Sequence, residues 1–201
     1  MTLNPRQSTE SRQAEIIATV VALAAERNPA DVTTTDIAKA MNVTQGALFR
    51  HFPTKEAMRL AVIEWVETQL ISKLGDAQAS APDVLSSLEA MFLAHVNFIR
   101  EFPGVPRLVF AELQQPDSSP IRQHVQQIMR RYRQMLAETL GKAKAAQLIR
   151  DDVDVQAAAA LFLGAIQGLV MQSMLGEASA DAEKPALGVL RLFLAALGAK
   201  S

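Results

Sequence analysis

The sequence predicts an all-α fold of about nine helices, a three-helix N-terminal domain followed by a larger helical bundle. Three observations carry this reading. Apolar residues recur at spacings of three and four through most of the chain, as on one face of a helix. Capping-type residues and prolines punctuate these stretches at plausible helix ends. No segment shows the sustained apolar–polar alternation of a half-buried strand.

Ile16, Ile17, Val20, Leu23 and Ala24 share a face, which predicts a first helix from about Ser8 to Arg27, stopped by Asn28-Pro29. Thr33 to Asp36 is a run of capping-type residues ahead of a short helix carrying Ile37, Ala38 and Met41. Asn42 stands where a left-handed turn residue is needed, a conformation Asn tolerates better than most. A second short helix is expected from Thr44 to His51. Pro53 ends it, and Thr54 caps a fourth helix reaching about Leu74. Gly75 to Pro82 reads as a small polar linker. Further helices are expected from about Pro82 to Glu101, up to Leu113 after the Pro103-Gly104 break, and from Pro120 with Ser119 as its cap. Asp154 opens another, to about Leu175, and the last spans about Ala182 to Ala199. The expected division is a domain over 1–53 and a second over 54–201.

Composition excludes more than it selects. The absence of cysteine removes disulfides, thiolate metal sites and a Cys nucleophile, and fits a reducing cytoplasm. Met1 to Ser11 is polar and unlike a secretory signal. His51, His95 and His124 are the only histidines, and their spacing suggests no metal site. Neither a Gly-rich phosphate loop nor a nucleophile elbow is present, so neither a cofactor nor an enzymatic activity is expected. Net charge is −1, yet between Val43 and Arg59 three cations oppose one carboxylate. Local charge of this kind, not the total, governs attraction to phosphates.

Two short helices joined by a tight turn and steadied by a preceding helix form a helix-turn-helix. Ile37, Ala38, Met41, Val43, Leu48 and Phe52 supply a compact core, with the small Ala38 where the helices come closest. Thr44 then caps the second helix, and Gln45 and Ala47 lie at its leading edge. A Gln can pair with an adenine edge, and an Ala methyl can pack on a thymine methyl. Thr34, Thr35, Arg50, His51 and Lys55 are placed to hold phosphates, which sets register and not sequence. Lys55 also lies at a helix N-terminus.

The segment VTTTDIAKAMNVTQGALFRHFPTKEAM resembles the N-terminal signature of tetracycline-repressor-type (TetR) regulators. The likeness covers about Ala14 to Leu70 and rests on capping threonines, an Ile-Ala pair, Val-Thr-x-Gly-x-Leu and Phe-Pro-Thr-Lys-Glu, in order and in register. It implies a dimeric transcriptional regulator whose C-terminal domain binds a small molecule and thereby releases DNA; repression is the expected outcome. The candidate DNA contacts are Thr34, Thr35, Thr44, Gln45, Gly46, Ala47, Phe49, Arg50, His51 and Lys55. Two positions depart from the family pattern. Asn42 replaces the common turn Gly. Phe49 replaces a common Tyr and removes a hydroxyl that would donate to phosphate, so Phe49 is expected to pack or to make apolar contact.

Ala157 to Leu175 is apolar nearly all round, which predicts burial on every side. The helix therefore needs a partner, and the expectation is an isologous homodimer through the last two helices. Its candidates are Leu161, Ala165, Gly168, Leu169, Gln172, Leu187, Leu190, Arg191 and Leu194. Gly164-x-x-x-Gly168 is also a close-packing motif of membrane helices. Gln156, Gln167 and Gln172 interrupt the stretch and both flanks are acidic, so no membrane span is expected. Candidates for an apolar effector chamber are Trp65, Gln69, Met91, His95, Phe98, Phe110, Met129, Tyr132, Phe162, Gln167 and Met171; such a lining suits an apolar or amphipathic effector. The expected partners are thus palindromic double-stranded DNA, that effector and a second copy of the chain. The alternative is a helical carrier or scaffold for apolar molecules that does not bind DNA.

Overall fold

The computed structural model describes residues 9–177 and 183–199, and among them there are nine α-helices and no strand. The helices are α1 (Thr9–Glu26), α2 (Thr34–Ala40), α3 (Gln45–Phe49), α4 (Lys55–Ser80), α5 (Val84–Glu101), α6 (Gly104–Leu113), α7 (Pro120–Ala145), α8 (Val155–Gln172) and α9 (Glu183–Ala196). Ser8 and Ala182, the expected starts of the first and last helices, lie outside the described residues. The chain divides into two compact units. The first holds the described residues up to Thr68 together with Phe102–Val125; the second holds Gln69–Glu101 and the described residues from Gln126 onward. This packing division cuts α4 and α7 and does not follow the expected boundary at residue 53.

Local chemistry sets the ends of the short helices in the first unit. Thr33 and Asp36 form a capping box: the Asp36 N–H donates to Thr33 Oγ1 at 3.1 Å, and the Thr33 N–H donates to the Asp36 carboxylate at 2.9 Å. The Thr33 hydroxyl, then the Thr33 N–H, both donating to the carboxylate, and after them Arg27 nearby, hold the Asp36 carboxyl below its usual range. Asn42 takes the expected left-handed turn, with φ of 54°. Thr44 caps α3 by accepting from the Ala47 N–H, and Thr54 likewise caps α4 through the Ala57 N–H.

Long-range packing in this unit depends on one glycine. A β-carbon added at Gly104, the first residue of α6, would sit 2.0 Å from the Val21 carbonyl oxygen and 2.9 Å from the Ala25 nitrogen of α1. Backbone meets backbone there, and nothing larger fits.

The second unit has an aromatic core. Phe162 of α8 makes edge contacts with Phe92 of α5 at 5.3 Å, with Tyr132 of α7 at 6.5 Å and with Phe193 of α9 at 5.4 Å between ring centres. The structure corrects the sequence reading at one place. Gly75 lies inside α4, which continues to Ser80, so the expected linker is mostly helix. Its last turns find tertiary partners: Gln78 donates to Thr139 Oγ1 at 2.7 Å, and the Gln78 carbonyl accepts from Ser87 Oγ at 3.3 Å. These outweigh the roughly 1 kcal/mol by which Gly disfavours a helix interior. α8 has one covered face and one open face. Packing against α5 and α9 buries Ala158, Ala159, Phe162, Leu163, Ile166 and Val170, while Leu161, Gly164, Gly168 and Met171 on its other face are exposed. Val155–Leu175 has the length and composition of a membrane span, with a mean hydropathy of 1.6, as apolar core helices also do.

A glycine pair tests this account of packing. Gly104→Ala should destabilise the protein by about 1–3 kcal/mol in a urea titration, through forced displacement of α6 from α1. Gly75→Ala, where nothing lies within 4 Å of the added carbon, should stabilise it by up to about 1 kcal/mol. Equal midpoints for the two variants would contradict the packing argument.

Candidate nucleic-acid interface

The helix-turn-helix is built as its residues suggested. Ile37, Ala38, Leu48 and Phe52 are buried beneath α2 and α3, while Met41 and Val43 are half-buried at the turn. That core leaves one continuous polar face. Thr35, Thr44, Gln45, Gly46, Arg50 and Lys55 are exposed on it; Thr34, Ala47 and His51 are half-buried. Phe49 is 42% exposed, so its ring is available for apolar contact instead of packing inside.

Several of these side chains are held before any partner arrives. The Gln45 amide donates to Thr34 Oγ1 at 2.9 Å and to Thr35 Oγ1 at 2.7 Å, linking the start of α3 to the first turn of α2. The His51 carbonyl accepts from Gln13 of α1 at 3.1 Å, which ties the end of the recognition segment to the supporting helix. Lys55 is the first residue of α4, where backbone N–H groups point outward. The arrangement offers hydrogen-bond donors and cations along a surface that an acidic, grooved duplex fits.

One feature of this unit was not legible in the sequence. Arg59 of α4 makes a bidentate pair with Glu112 of α6, with Nε to Oε1 at 2.8 Å and Nη2 to Oε2 at 2.5 Å. Glu112 is buried and Arg59 largely so. A carboxylate in the otherwise apolar run of α6 was the available signal, but its partner lies 53 residues away.

The chamber candidates are distributed over the two units. Trp65 and Phe110 belong to the first unit, where Trp65 packs edge-on against Phe102 at 5.0 Å. Gln69, Met91, His95, Phe98, Met129, Tyr132 and Phe162 belong to the second. Gln167 and Met171, also expected in the chamber, are exposed on the open face of α8, with Met171 at 47%.

His95 and Tyr132 face each other, Nδ1 to hydroxyl at 3.3 Å. Burial pushes the His95 pKa down to about 4 and the Tyr132 pKa up, so both are neutral near pH 7.

Of the dimer candidates, Leu161 (56% exposed), Gly168, Gln172 and Arg191 are open to solvent, and Ala165, Leu169, Leu187 and Leu194 are half-buried. Leu190 is buried inside its own unit and is unavailable to a partner, which corrects its assignment. Leu192, 74% exposed, was missed because it falls off the leucine stripe of α9.

Comparison with known proteins adds to the geometry. The family model for bacterial regulatory proteins of the tetR family matches residues 16–62, and that for the tetracyclin repressor-like C-terminal domain matches residues 110–186. Nucleoid occlusion factor SlmA of Marinomonas sp. (strain MWYL1) is 24% identical over 159 residues, covering 79% of this chain and 81% of that protein. The fatty acid degradation regulator FadR of Bacillus halodurans superposes with a TM-score of 0.81 at 20% identity, covering all of both chains. FadR of Bacillus subtilis, solved in complex with stearoyl-CoA, gives 0.77 at 20% identity, covering 90% of this chain and 96% of that one.

Two expectations follow from the site. Arg59→Leu strands the Glu112 carboxylate and should cost about 2–4 kcal/mol in urea denaturation, whereas Arg59→Leu/Glu112→Leu should recover most of the loss. Equal losses in the single and double variants would show that the ion pair is not the cause. The second concerns acid. The unfolded His95 imidazole takes up a proton near pH 6.5, but the native one does not until about 4. Protonation therefore favours the unfolded state. Stability should be complete above pH 6.5 and fall by up to about 1.4 kcal/mol per unit as pH drops through this window. His95→Gln should flatten that slope between pH 6.5 and 5.

Proposed function

The chain belongs to the TetR family of bacterial regulatory proteins, and on that premise we propose that it is a ligand-responsive, DNA-binding transcriptional repressor, released from a palindromic operator by a small apolar or amphipathic effector. The observation that carries the reading is the exposed face of α2, α3 and the start of α4, where Gln45, Arg50 and Lys55 stand clear of the core that positions them. Residues 1–53 are assigned to DNA reading and 54–201 to effector binding and dimerisation. Thr34, Thr35, Thr44, Arg50, His51 and Lys55 hold phosphates, while Gln45, Gly46, Ala47 and Phe49 lie along the base edges.

The exposed apolar residues Leu161 and Met171 of α8 and Leu192 of α9 support self-association through these two helices. A two-fold dimer presents two recognition helices to successive major grooves about 34 Å apart, which is why the operator is expected to be palindromic. The amphipathic ligand in the Bacillus subtilis FadR complex supports an effector of that character here. The effector acts by population shift: it binds the DNA-incompetent state more tightly. The reading places the protein in the cytoplasm.

Fluorescence anisotropy with a labelled duplex from immediately upstream of its own gene tests the proposal. The wild type should bind selectively over a scrambled duplex, with affinity falling about 10- to 1,000-fold between 50 and 200 mM salt. Arg50→Ala/Lys55→Ala should abolish selective binding. Leu161→Asp/Leu192→Asp should sediment as a monomer and bind DNA weakly. If genome-fragment selection also recovers no preferred sequence for the wild type, the regulator reading fails and the carrier alternative takes its place.

A further inference from the structure

The Gln45 amide group has two hydrogens, and two hydroxyl oxygens, Thr34 Oγ1 at 2.9 Å and Thr35 Oγ1 at 2.7 Å, take them both. What remains of the Gln45 head group is its carbonyl oxygen, with two lone pairs and no hydrogen to offer. Gln45 and Thr35 are exposed and Thr34 half-buried, so this device lies on the DNA-facing surface and not in the core.

The threonines have a reason to take the accepting role. Each hydroxyl carries a single hydrogen. A hydroxyl that accepts from Gln45 keeps that hydrogen free to donate to a phosphate. The opposite arrangement, with both hydroxyls donating to the Gln45 carbonyl, would leave them only lone pairs to set against a polyanion. Phosphate binding and amide orientation therefore favour the same arrangement. The holder is itself fixed, because the Thr33–Asp36 capping box immediately precedes and encloses Thr34 and Thr35. Gln45 is the first residue of α3, capped by Thr44, so its head group lies at the leading end of the recognition helix.

We propose that Gln45 reads the operator as a hydrogen-bond acceptor only, with Thr34 and Thr35 as the positioning residues that impose this. The inference rests on the DNA-binding reading above. Its consequence is a base preference different from that of a free glutamine, which pairs with adenine at both N6 and N7. In the major groove only adenine N6 and cytosine N4 offer an amino donor. Guanine presents O6 and N7 and thymine presents O4, all acceptors, which would meet the Gln45 oxygen lone pair to lone pair. One position in each half-site should therefore accept adenine or cytosine and reject guanine and thymine.

The test begins with operator-library selection by the full-length wild type and by Gln45→Ala; the position whose discrimination disappears in the variant is the one Gln45 reads. Duplexes carrying each base, and 7-deaza-adenine, are then compared there by anisotropy. Adenine and cytosine should bind within about threefold of each other, and guanine and thymine at least about fivefold more weakly. Replacing adenine by 7-deaza-adenine, which keeps N6 and lacks N7, should change affinity less than twofold. In Thr34→Val/Thr35→Val the amide is released. Overall affinity should drop with the lost phosphate contacts, 7-deaza-adenine should become distinguishable from adenine, and guanine should become tolerated.

A wild type that loses about tenfold on 7-deaza substitution, or that prefers guanine, would overturn the acceptor-only assignment while leaving DNA reading intact. Gln45→Ala with unchanged discrimination at every position would overturn it as well. A wild type that selects no sequence at all would refute the regulator reading itself, and this inference with it.

Discussion

A buried carboxylate must be answered, and in the first unit the answer comes from Arg59. Glu112 lies on α6 among apolar neighbours, and desolvating its charge would be prohibitive without the two parallel bonds that the guanidinium supplies. Arg59 is one turn beyond Lys55 on α4, so the pair sets where the start of that helix lies relative to α6. At its other end α6 meets α1 backbone to backbone, a distance that only Gly104 permits. α6 therefore acts as a strut between the two longer helices of the unit, fixed by an ion pair at one end and by the absence of a side chain at the other.

The surface proposed to face DNA is organised on the same principle at a smaller scale. Its core is small, being chiefly Ile37, Ala38, Leu48 and Phe52, and it cannot by itself orient exposed side chains. Hydrogen bonds do that instead. Thr33, Thr44 and Thr54 cap the three helices that carry the candidate contacts, and Gln13 reaches across from α1 to the His51 carbonyl. A surface ordered in advance loses less entropy on binding, so more of its interaction energy appears as affinity and selectivity. In the second unit the aromatic contacts around Phe162 make a firm interior, while the outward face of α8 is apolar and open. That contrast within one helix is the basis for assigning it to self-association.

What the sequence revealed was local in origin. The caps at Thr44, Thr54 and Asp154, the left-handed turn at Asn42 and the order of all nine helices depend on neighbours a few residues away, and their chemistry can be read along the chain. What it concealed depends on contacts between distant residues. α4 passes through Gly75 because Gln78 finds Thr139 and Ser87, and nothing near Gly75 announces this. Nothing beside Glu112 in the sequence points to Arg59, 53 residues away. Uniform hydrophobicity also hid the phase of α8 and α9. Gln167 and Met171 could not be sorted by composition, since α8 is apolar nearly all round, and Leu190 and Leu192 are one residue type on neighbouring positions of α9, which leaves composition nothing to separate them. The threonine-held amide is hidden for a related reason: Gln45 and Thr34 each suit a contact to DNA, and their contact with each other needs the turn between α2 and α3.

Everything proposed for this protein depends on DNA being read by the surface of α2, α3 and the start of α4. Amide hydrogen exchange measured on the full chain, with and without the upstream duplex, tests it most directly. DNA should slow exchange within residues 34–57, with little direct protection of the buried core of the second unit. Protection confined to α8 and α9, with residues 34–57 exchanging as in the free protein, would contradict it.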